Sequence, residues 1–228
     1  MKTAVVTGAS SGIGAAVVRR LLADGWRVIG LSRRTPDLGS AANADHFSSV
    51  AIDLGDFDAL RNWATGVEAV DAVVHAAGVQ YSAPLGQLDT DHGAQMWRIH
   101  VGAAEVLVDA LVGNLTDAGR VVLVGSRTMA GNAGKSQYAA TKSALVGLAR
   151  SWAAELADRA ITVNVVAPGP TDTPMLADPA RAHTPPKLPP LGRFIAPEEV
   201  AGLIAFLLGP EGGSITGQAI VQCAGASL

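Results

Sequence analysis

The chain has 228 residues, a length that suits one α/β domain of ordinary size. Hydrophobic residues make up 49% of it and charged residues 16%, so it can bury a large core and an oligomer face as well. Its 17 basic and 20 acidic residues give a formal charge of −3, and the basic ones are scattered. Nucleic acid and an anionic membrane surface are therefore excluded as expected partners.

The single cysteine, Cys223, excludes an intrachain disulfide, and no Cys/His cluster has the spacing of a metal site. We predict no bound metal. No apolar run reaches the roughly 18 residues of a membrane span. The N-terminus also lacks the charged and apolar regions of a signal peptide, and we expect a cytoplasmic protein.

Short β-branched runs alternate with longer helical patterns along the chain. The strand candidates, in order, are TAVVT, WRVIGLS, SSVAID, DAVVHAAG, RVVLVGS, ITVNVVAPG and QAIVQC. Helical patterns separate most of them, including one long stretch over residues 87–115. Because each parallel return needs a crossover, this order predicts a doubly wound, seven-stranded, mostly parallel sheet with helices on both faces, in one domain over residues 1–228.

A glycine-rich stretch, TGASSGIG at residues 7–14, lies between the first strand candidate and the first helical pattern. Glycine lets the backbone turn tightly and lets an anion come close, and the N–H groups at a helix N-terminus attract negative charge. The spacing of Gly8, Gly12 and Gly14 is not that of a P-loop, since no Gly-Lys-Ser/Thr follows. We interpret the stretch as a turn for a dinucleotide pyrophosphate. The alternative is that the glycines only let the helix pack closely on the sheet.

Tyr138 and Lys142 are four residues apart in a helical pattern, so their side chains lie on one face. A nearby ammonium lowers the pKa of a phenol from its ordinary value of about 10, which suits acid/base work at neutral pH. The alternative is an ordinary solvated helix face.

The stretches TGASSGIG and Tyr138-Ala-Ala-Thr-Lys142 together resemble the short-chain dehydrogenase/reductase family. The resemblance implies a Rossmann fold and an oxidoreductase that interconverts a carbonyl (ketone, aldehyde or quinone) and an alcohol by hydride transfer. It covers essentially the whole chain. The further matches are Asp53 after the third strand candidate, AAG at 76–78, Ser126, Asn164 ahead of Pro168-Gly169, and ITGQAIVQ near the C-terminus.

The resemblance also implies roles for single residues. Tyr138 would give its proton to the carbonyl oxygen, Ser126 would hold the same oxygen, and Lys142 would bind the nicotinamide ribose. Asp53 and Leu54 would lie at the adenine ring. The full set of implied cofactor contacts outside the second strand is Gly8, Ser10, Ser11, Gly12, Ile13, Gly14, Asp53, Leu54, Ala76, Ala77, Gly78, Val101, Tyr138, Lys142, Pro168, Gly169 and Thr171.

The end of the second strand candidate indicates which dinucleotide binds. An acidic residue there would accept hydrogen bonds from the adenosine ribose and favour NAD(H). This chain has Ser32 followed by Arg33 and Arg34, and a guanidinium can pair with a 2′-phosphate through two hydrogen bonds. We therefore predict NADP(H) rather than NAD(H). The alternative is that both arginines are solvated loop residues.

Two positions depart from the family pattern. The usual Asn-Ala-Gly after the fourth strand reads Ala76-Ala77-Gly78 here, and the family's fourth catalytic residue, an asparagine, falls on His100. That asparagine normally holds a water on the path of protons to the lysine. Histidine can hold a water and carry a proton near neutral pH, so we predict a catalytic relay through His100, with simple packing in the helix as the alternative. We interpret His75 as structural.

Residues 168–197 contain enough prolines to interrupt every helix, and loops this long are usually functional or disordered. We interpret about 170–196 as a substrate lid, with a solvated connection as the alternative. The lid carries few charges, and its large apolar residues predict a largely apolar pocket mouth. These residues are Met175, Leu176, Leu188, Leu191 and Phe194.

The resemblance further implies a homo-oligomer, a tetramer or dimer, built on the helices around 95–111 and 136–156. The second of these is apolar on more than one side, as a helix with both core and subunit contacts would be. The predicted partner is otherwise a small-molecule carbonyl or alcohol. The departures at Ala76 and His100 leave one rival hypothesis: a dinucleotide-binding sensor or scaffold that has lost useful catalysis.

Overall fold

The computed structural model describes residues 1–39 and 46–228. Its strands are β1 (Thr3–Thr7), β2 (Arg27–Ser32), β3 (Phe47–Ala51), β4 (Val70–His75), β5 (Leu115–Val124), β6 (Thr162–Pro168) and β7 (Ala219–Gln222). They form one sheet in the order β3-β2-β1-β4-β5-β6-β7, and every pairing is parallel. The predicted doubly wound, seven-stranded sheet is confirmed. The strand order reverses between β1 and β4, where such sheets bind ligands beyond the carboxyl ends of the strands.

Helices cover both faces of the sheet. They are α1 (Gly12–Ala23), α2 (Phe57–Ala64), α3 (Thr90–Trp97), α4 (Ala103–Leu111), α5 (Ser136–Glu155) and α6 (Pro197–Leu208). Leu60, Leu107 and Leu145, from α2, α4 and α5, belong to one buried apolar cluster, and α1 and α6 build the other. Every residue of β6 is buried, as expected of a strand covered on both faces.

The helix predicted over residues 87–115 is interrupted. A π-helical turn at Arg98–Gly102 separates α3 from α4, and Leu115 already belongs to β5. The apolar spacing of the stretch is helical on either side, so periodicity alone cannot show a wider turn. Such turns are rare and occur frequently at functional sites, and this one contains His100.

The proline-rich segment after β6 folds back over the carboxyl ends of the strands. It contains two short 3-10 turns, Pro174–Ala177 and Pro179–Arg181, and a parallel bridge joins Thr171 to Ile195. The Ser82 N–H, in the loop after β4, donates to the Ala180 carbonyl across 3.3 Å. The segment is therefore attached to the loop that follows β4.

Within residues 1–39 and 46–228, no helix has both the length and the apolar character needed to cross a bilayer. The same residues contain no group of three or more histidine, cysteine, aspartate or glutamate side chains placed to hold a metal ion.

Candidate active site

The glycine-rich turn brings the start of α1 against the end of β1. Gly8 and Gly12 adopt positive φ values of 67° and 53°, a conformation that side chains disfavour. A Cβ on Gly14 would lie 2.2 Å from the Gly8 carbonyl oxygen. Gly14 and Gly12 line neither of the two cavities described below, so close packing accounts for Gly14, while Gly8 faces the ligand side.

A cavity of about 180 Å³ lies beside the turn, between β1, β2 and the loop after β4. Most residues that were predicted to hold the adenosine half line it: Gly8, Ser10, Ser11, Ser32, Arg33, Arg34, Asp53, Leu54, Ala77 and Gly78. Val101 is buried but does not line it, whereas Ile99 of the same π-helical turn does. Sequence reasoning missed Ile52, Val79, Gln95 and Ile99. Ile52 was the one with a signal, since it adjoins Asp53.

This cavity fits a dinucleotide that carries a 2′-phosphate. The Ser32 hydroxyl donates to the Arg34 carbonyl across 2.7 Å and shapes the turn after β2. Arg33 and Arg34 are exposed, and neither forms an ion pair with any residue in the described parts of the chain. Two guanidinium groups at the rim therefore remain available to an anion.

A second cavity, of about 130 Å³, lies at the ends of β4, β5 and β6 under the proline-rich segment. We call it the inner cavity. It brings together nine predicted residues: Ile13, Ala76, Gly78, Ser126, Tyr138, Lys142, Pro168, Gly169 and Thr171. Gly78 lines both cavities, so the two adjoin at that glycine.

Tyr138 and Lys142 lie on one face of α5, both buried. The Lys142 Nζ donates to the Val124 carbonyl across 2.8 Å and lies 5.8 Å from the centre of the Tyr138 ring. Burial lowers the pKa of Lys142 to about 7, because a buried ammonium loses its hydration. For the same reason burial raises the pKa of Tyr138, although Ser126 and Arg181 act in the opposite direction.

The expectation that Lys142 lowers the pKa of Tyr138 is therefore not met in the protein alone. Desolvation of the phenolate outweighs the attraction of nearby positive charge. The phenol stays protonated near neutral pH, which is the form that donates a proton to a carbonyl oxygen.

Ser126 follows β5 and begins the 3-10 turn Arg127–Ala130. Its hydroxyl accepts a hydrogen bond from the Thr128 N–H at 3.2 Å and lies 2.8 Å from the Thr128 hydroxyl. This fixes the Ser126 oxygen at the wall of the inner cavity, where Thr128 also lies. Sequence reasoning did not single out Thr128.

His100 lies behind the inner cavity and does not line it. Its Nε2 accepts a hydrogen bond from the Val79 N–H at 3.1 Å, so the neutral ring carries its proton on Nδ1. Nδ1 lies 2.8 Å from the Thr141 hydroxyl, which in turn donates to the Tyr138 carbonyl at 2.9 Å. Burial, with the positive charge of Lys142, holds the pKa of His100 well below its usual range. Both ring nitrogens contact protein groups in this arrangement, whereas a relay needs one of them to take up and release a proton. The relay through His100 stays a prediction.

His75, at the end of β4, is fully buried and bridges two elements. Its Nε2 donates to the Ile99 carbonyl across 3.0 Å, and its Nδ1 lies 3.0 Å from the Thr7 hydroxyl. That hydroxyl accepts from the N–H groups of Ala76 and Ala77, both at 3.1 Å. The predicted structural role agrees with this geometry: His75 links β1 to the loop after β4 and to the π-helical turn.

Two of the five apolar residues that predicted an apolar pocket mouth line the inner cavity. Met175 and Leu176 line the inner cavity, but Leu188 and Leu191 are exposed and Phe194 lines no part of it. Arg181 of the same segment is buried and does line it, together with Lys135 and Arg127. The positions of the prolines in the sequence gave no indication that Arg181 lines the inner cavity.

Comparisons with known proteins agree with this arrangement. Residues 8–227 match the family model described as "Enoyl-(Acyl carrier protein) reductase". The Escherichia coli (strain K12) "Cyclic-di-GMP-binding biofilm dispersal mediator protein" is 35% identical over 95% of this chain and 93% of its own length. The Vibrio harveyi "3-oxoacyl-[acyl-carrier-protein] reductase FabG" is 34% identical over 96% of this chain and 94% of its own.

A solved structure gives the same result. A "blue fluorescent protein from metagenomic library in complex with NADPH" superimposes with a TM-score of 0.87 at 34% identity, covering 100% of this chain and 98% of the other. That neighbour holds NADPH, which agrees with the cofactor predicted from Arg33 and Arg34. The sequence match along nearly the whole chain, the parallel sheet and the site residues lead to one conclusion: the chain belongs to the short-chain dehydrogenase/reductase family, a family of Rossmann-fold oxidoreductases.

Proposed function

We propose that the protein is an NADP(H)-dependent oxidoreductase that interconverts a carbonyl and an alcohol at the inner cavity. The observation that carries the proposal is the placement of Ser126, Tyr138 and Lys142 on the wall of one cavity, at the ends of the strands. The rim arginines Arg33 and Arg34 support the choice of NADP(H), since no ion pair with the described residues occupies them.

In this proposal the two cavities bind opposite ends of the cofactor. Arg33 and Arg34 bind the 2′-phosphate, and the wall formed by Ile13, Gly169 and Thr171 holds the nicotinamide end. When bound, NADPH supplies the hydride. Lys142, fixed by the Val124 carbonyl, presents its ammonium to the nicotinamide ribose.

The chain supplies the proton. Tyr138, kept protonated by burial, donates its hydroxyl proton to the substrate oxygen, while Ser126 hydrogen-bonds the same oxygen. The C=O π bond opens, the carbon gains the hydride and the oxygen gains the proton, giving an alcohol. His100 acts as a positioning residue, because it joins the Val79 backbone to α5 through Thr141.

The test is Tyr138→Phe, assayed with NADPH against a panel of ketones, aldehydes and quinones. Loss of the proton donor lowers kcat by about 100-fold or more, while NADPH binding measured by calorimetry stays within about threefold of wild type. Unchanged turnover in the variant would refute the proposal.

A second candidate is a dinucleotide-binding sensor with little catalysis. Two observations favour it: Ala76 and His100 replace family asparagines, and one relative is described as cyclic-di-GMP-binding. The panel separates the candidates, since reduction of any member at ordinary enzyme rates, about 1 per second or faster, excludes the sensor.

A further inference from the structure

The inner cavity contains hydrogen-bond donors that no protein group satisfies. The Nε2 of Gln80 and the Nε of Arg181 are buried and have no hydrogen-bond partner among the described residues. Both side chains line the inner cavity and are only 8% exposed. A buried donor without an acceptor is costly, which indicates that a ligand provides the acceptor.

Positive charge is concentrated at the same wall. Lys135 is 9% exposed and lines the inner cavity beside Arg181 and Arg127. Burial, and after it the charges of Arg181 and Arg127, lower the pKa of Lys135 to about 8. Lys142 adds a fourth basic group, at the catalytic end of the cavity.

No acidic side chain balances these groups inside the cavity. Of the described residues that line it, none is aspartate or glutamate. None of the ion pairs within 1–39 and 46–228 includes Arg127, Lys135 or Arg181. Burial lowers the pKa of Arg181, and the opposing effects of Tyr138 and Asp178 do not overcome it. The Asp178 carboxylate accepts from the Ala180 N–H at 2.9 Å, and Asp178 lines no part of the cavity.

Arg181 is held in position rather than loosely placed. Its Nη1 donates to the Met175 carbonyl across 3.1 Å, within the same segment. The neighbouring Ala180 carbonyl accepts from the Ser82 N–H, two residues after Gln80. The hydrogen bonds that attach the segment to the loop after β4 thus bring the Gln80 amide and the Arg181 guanidinium to one cavity.

We propose that Gln80, Lys135 and Arg181 form an oxyanion subsite, and that the substrate is a carbonyl compound that also carries a carboxylate or phosphate. The proposal rests on the proposed function, since it places the carbonyl at Tyr138 and the anion at these three residues. A guanidinium, an ammonium and an amide N–H match the acceptors of either oxyanion. Neutral ketones would leave these donors unsatisfied.

The experiment compares matched substrates with NADPH: pyruvate with pyruvamide, acetoacetate with acetoacetamide, and dihydroxyacetone phosphate with dihydroxyacetone. At least one anion is preferred over its neutral partner by about tenfold or more in kcat/KM, the usual range for a charge-assisted hydrogen bond. The first two pairs test a carboxylate and the third a phosphate. A neutral partner equal to or better than the anion in all three pairs overturns the subsite.

Arg181→Met and Lys135→Met each remove the preference, because each lowers kcat/KM with the anion about tenfold more than kcat/KM with the neutral partner. Lys187→Met, which removes an exposed cation of the same segment outside the inner cavity, retains the preference. If Arg181→Met lowers the rates with anion and neutral partner equally, Arg181 acts on Tyr138 and the subsite is wrong. If Arg181 or Lys135 is needed for folding, Gln80→Leu serves in their place and is expected to reduce the preference for the anion.

Calorimetry separates failure of the subsite from failure of the proposed function. Pyruvate, acetoacetate and dihydroxyacetone phosphate are each titrated into the Tyr138→Phe variant with NADPH, and into Tyr138→Phe/Arg181→Met. Binding that is lost with Arg181 supports the subsite even when wild type reduces nothing in the panel. Turnover of neutral ketones without any binding of anions keeps the oxidoreductase and rejects the subsite.

Discussion

The Nε2 of His100 accepts a hydrogen bond from the backbone N–H of Val79 across 3.1 Å, and this contact joins the π-helical turn to the loop after β4. The Nδ1 of the same ring reaches the Thr141 hydroxyl on α5. His100 therefore also joins the π-helical turn and the loop after β4 to the helix that carries Tyr138 and Lys142. Protonation of the ring would remove the acceptor that Val79 requires. His100 therefore serves the site as a neutral group.

His100→Leu leaves the partly buried Val79 N–H without an acceptor. We expect it to lower the free energy of unfolding by about 1–3 kcal/mol and to reduce kcat, as the tyrosine and lysine lose their fixed position. His100→Asn restores an amide acceptor and retains more activity. The check is a denaturant titration together with the pH dependence of kcat. A wild-type kcat profile with a step that disappears in His100→Asn would instead support a proton relay.

Acid sensitivity follows from the buried histidines. Burial lowers the pKa of His75 from 6.5 to about 3, so between these pH values the unfolded chain binds a proton that the folded chain does not. Stability therefore falls as the pH drops below 6.5. The slope for one such group is about 1.4 kcal/mol per pH unit.

We expect the free energy of unfolding, measured by urea titration from pH 7 to pH 5, to fall with a slope that is shallower in His75→Gln than in wild type. Glu199, whose pKa is lowered to about 2 by Arg193, contributes only below its ordinary value of 4.5. A flat wild-type profile above pH 5 would show that His75 is not buried in neutral form.

Cofactor preference is expected to depend on the rim arginines. Arg33→Ala and Arg34→Ala each weaken NADPH binding by about tenfold or more, since each removes a charge-assisted hydrogen bond to the 2′-phosphate. NADH binding stays nearly unchanged, because NADH lacks that phosphate. Fluorescence or calorimetric titration with both nucleotides measures the effect, and Arg27→Ala, exposed at the start of β2, is the control. Equal losses for NADPH and NADH would argue against a 2′-phosphate contact.

Gly14 tests the close packing of the turn. Gly14→Ala places a Cβ 2.2 Å from the Gly8 carbonyl oxygen, so the backbone must shift, and we expect a loss of about 1–3 kcal/mol and weaker NADPH binding. Gly202→Ala is the matched control within α6, where the new Cβ would lie 3.7 Å from an Arg20 side-chain nitrogen. It stabilises by about 0.5–1 kcal/mol through helix propensity. Thermal melts of both variants show whether stability is lost through the contact with the Gly8 carbonyl, rather than through the replacement of a glycine as such.

The predicted homo-oligomer can be tested by measuring the molar mass of the protein in solution. Light scattering coupled to size-exclusion chromatography is expected to give a dimer or tetramer. An exposed row on α5, opposite the side of Tyr138 and Lys142, consists of Ala140, Ser143 and Gly147. We expect a bulky substitution in this row, such as Ala140→Arg, to dissociate the oligomer. A monomer at micromolar concentration would contradict the prediction.

The sequence allowed the sheet to be predicted because each strand is a short β-branched run and each crossover a helical pattern. Tyr138 and Lys142 could be singled out from their spacing on α5. Ser126 and the other predicted residues of the inner cavity came from the resemblance to the family. The π-helical turn was missed because the apolar spacing is helical on either side of it. The contacts of His100 with Val79 and Thr141 join residues that are far apart in the sequence.

The charged wall of the inner cavity was missed for a related reason. Lys135 and Arg181 are far apart in the chain and belong to segments with no common pattern. Arg181 is buried in the folded chain, where the proline-rich segment is attached to the loop after β4. In the sequence, Arg181 is one basic residue in a stretch of prolines and small side chains.

Gly78 lies where the two cavities of the site adjoin. The cavity beside the glycine-rich turn and the inner cavity meet at this residue, and a Cβ there would lie 3.1 Å from the His100 Nε2 and 3.7 Å from the Lys142 Nζ. Any side chain at 78 would press on the histidine that fixes the loop and narrow the place where the cavities adjoin. The absence of a Cβ at this position thus keeps the junction of the two cavities open, so that one long ligand has room to extend from one into the other.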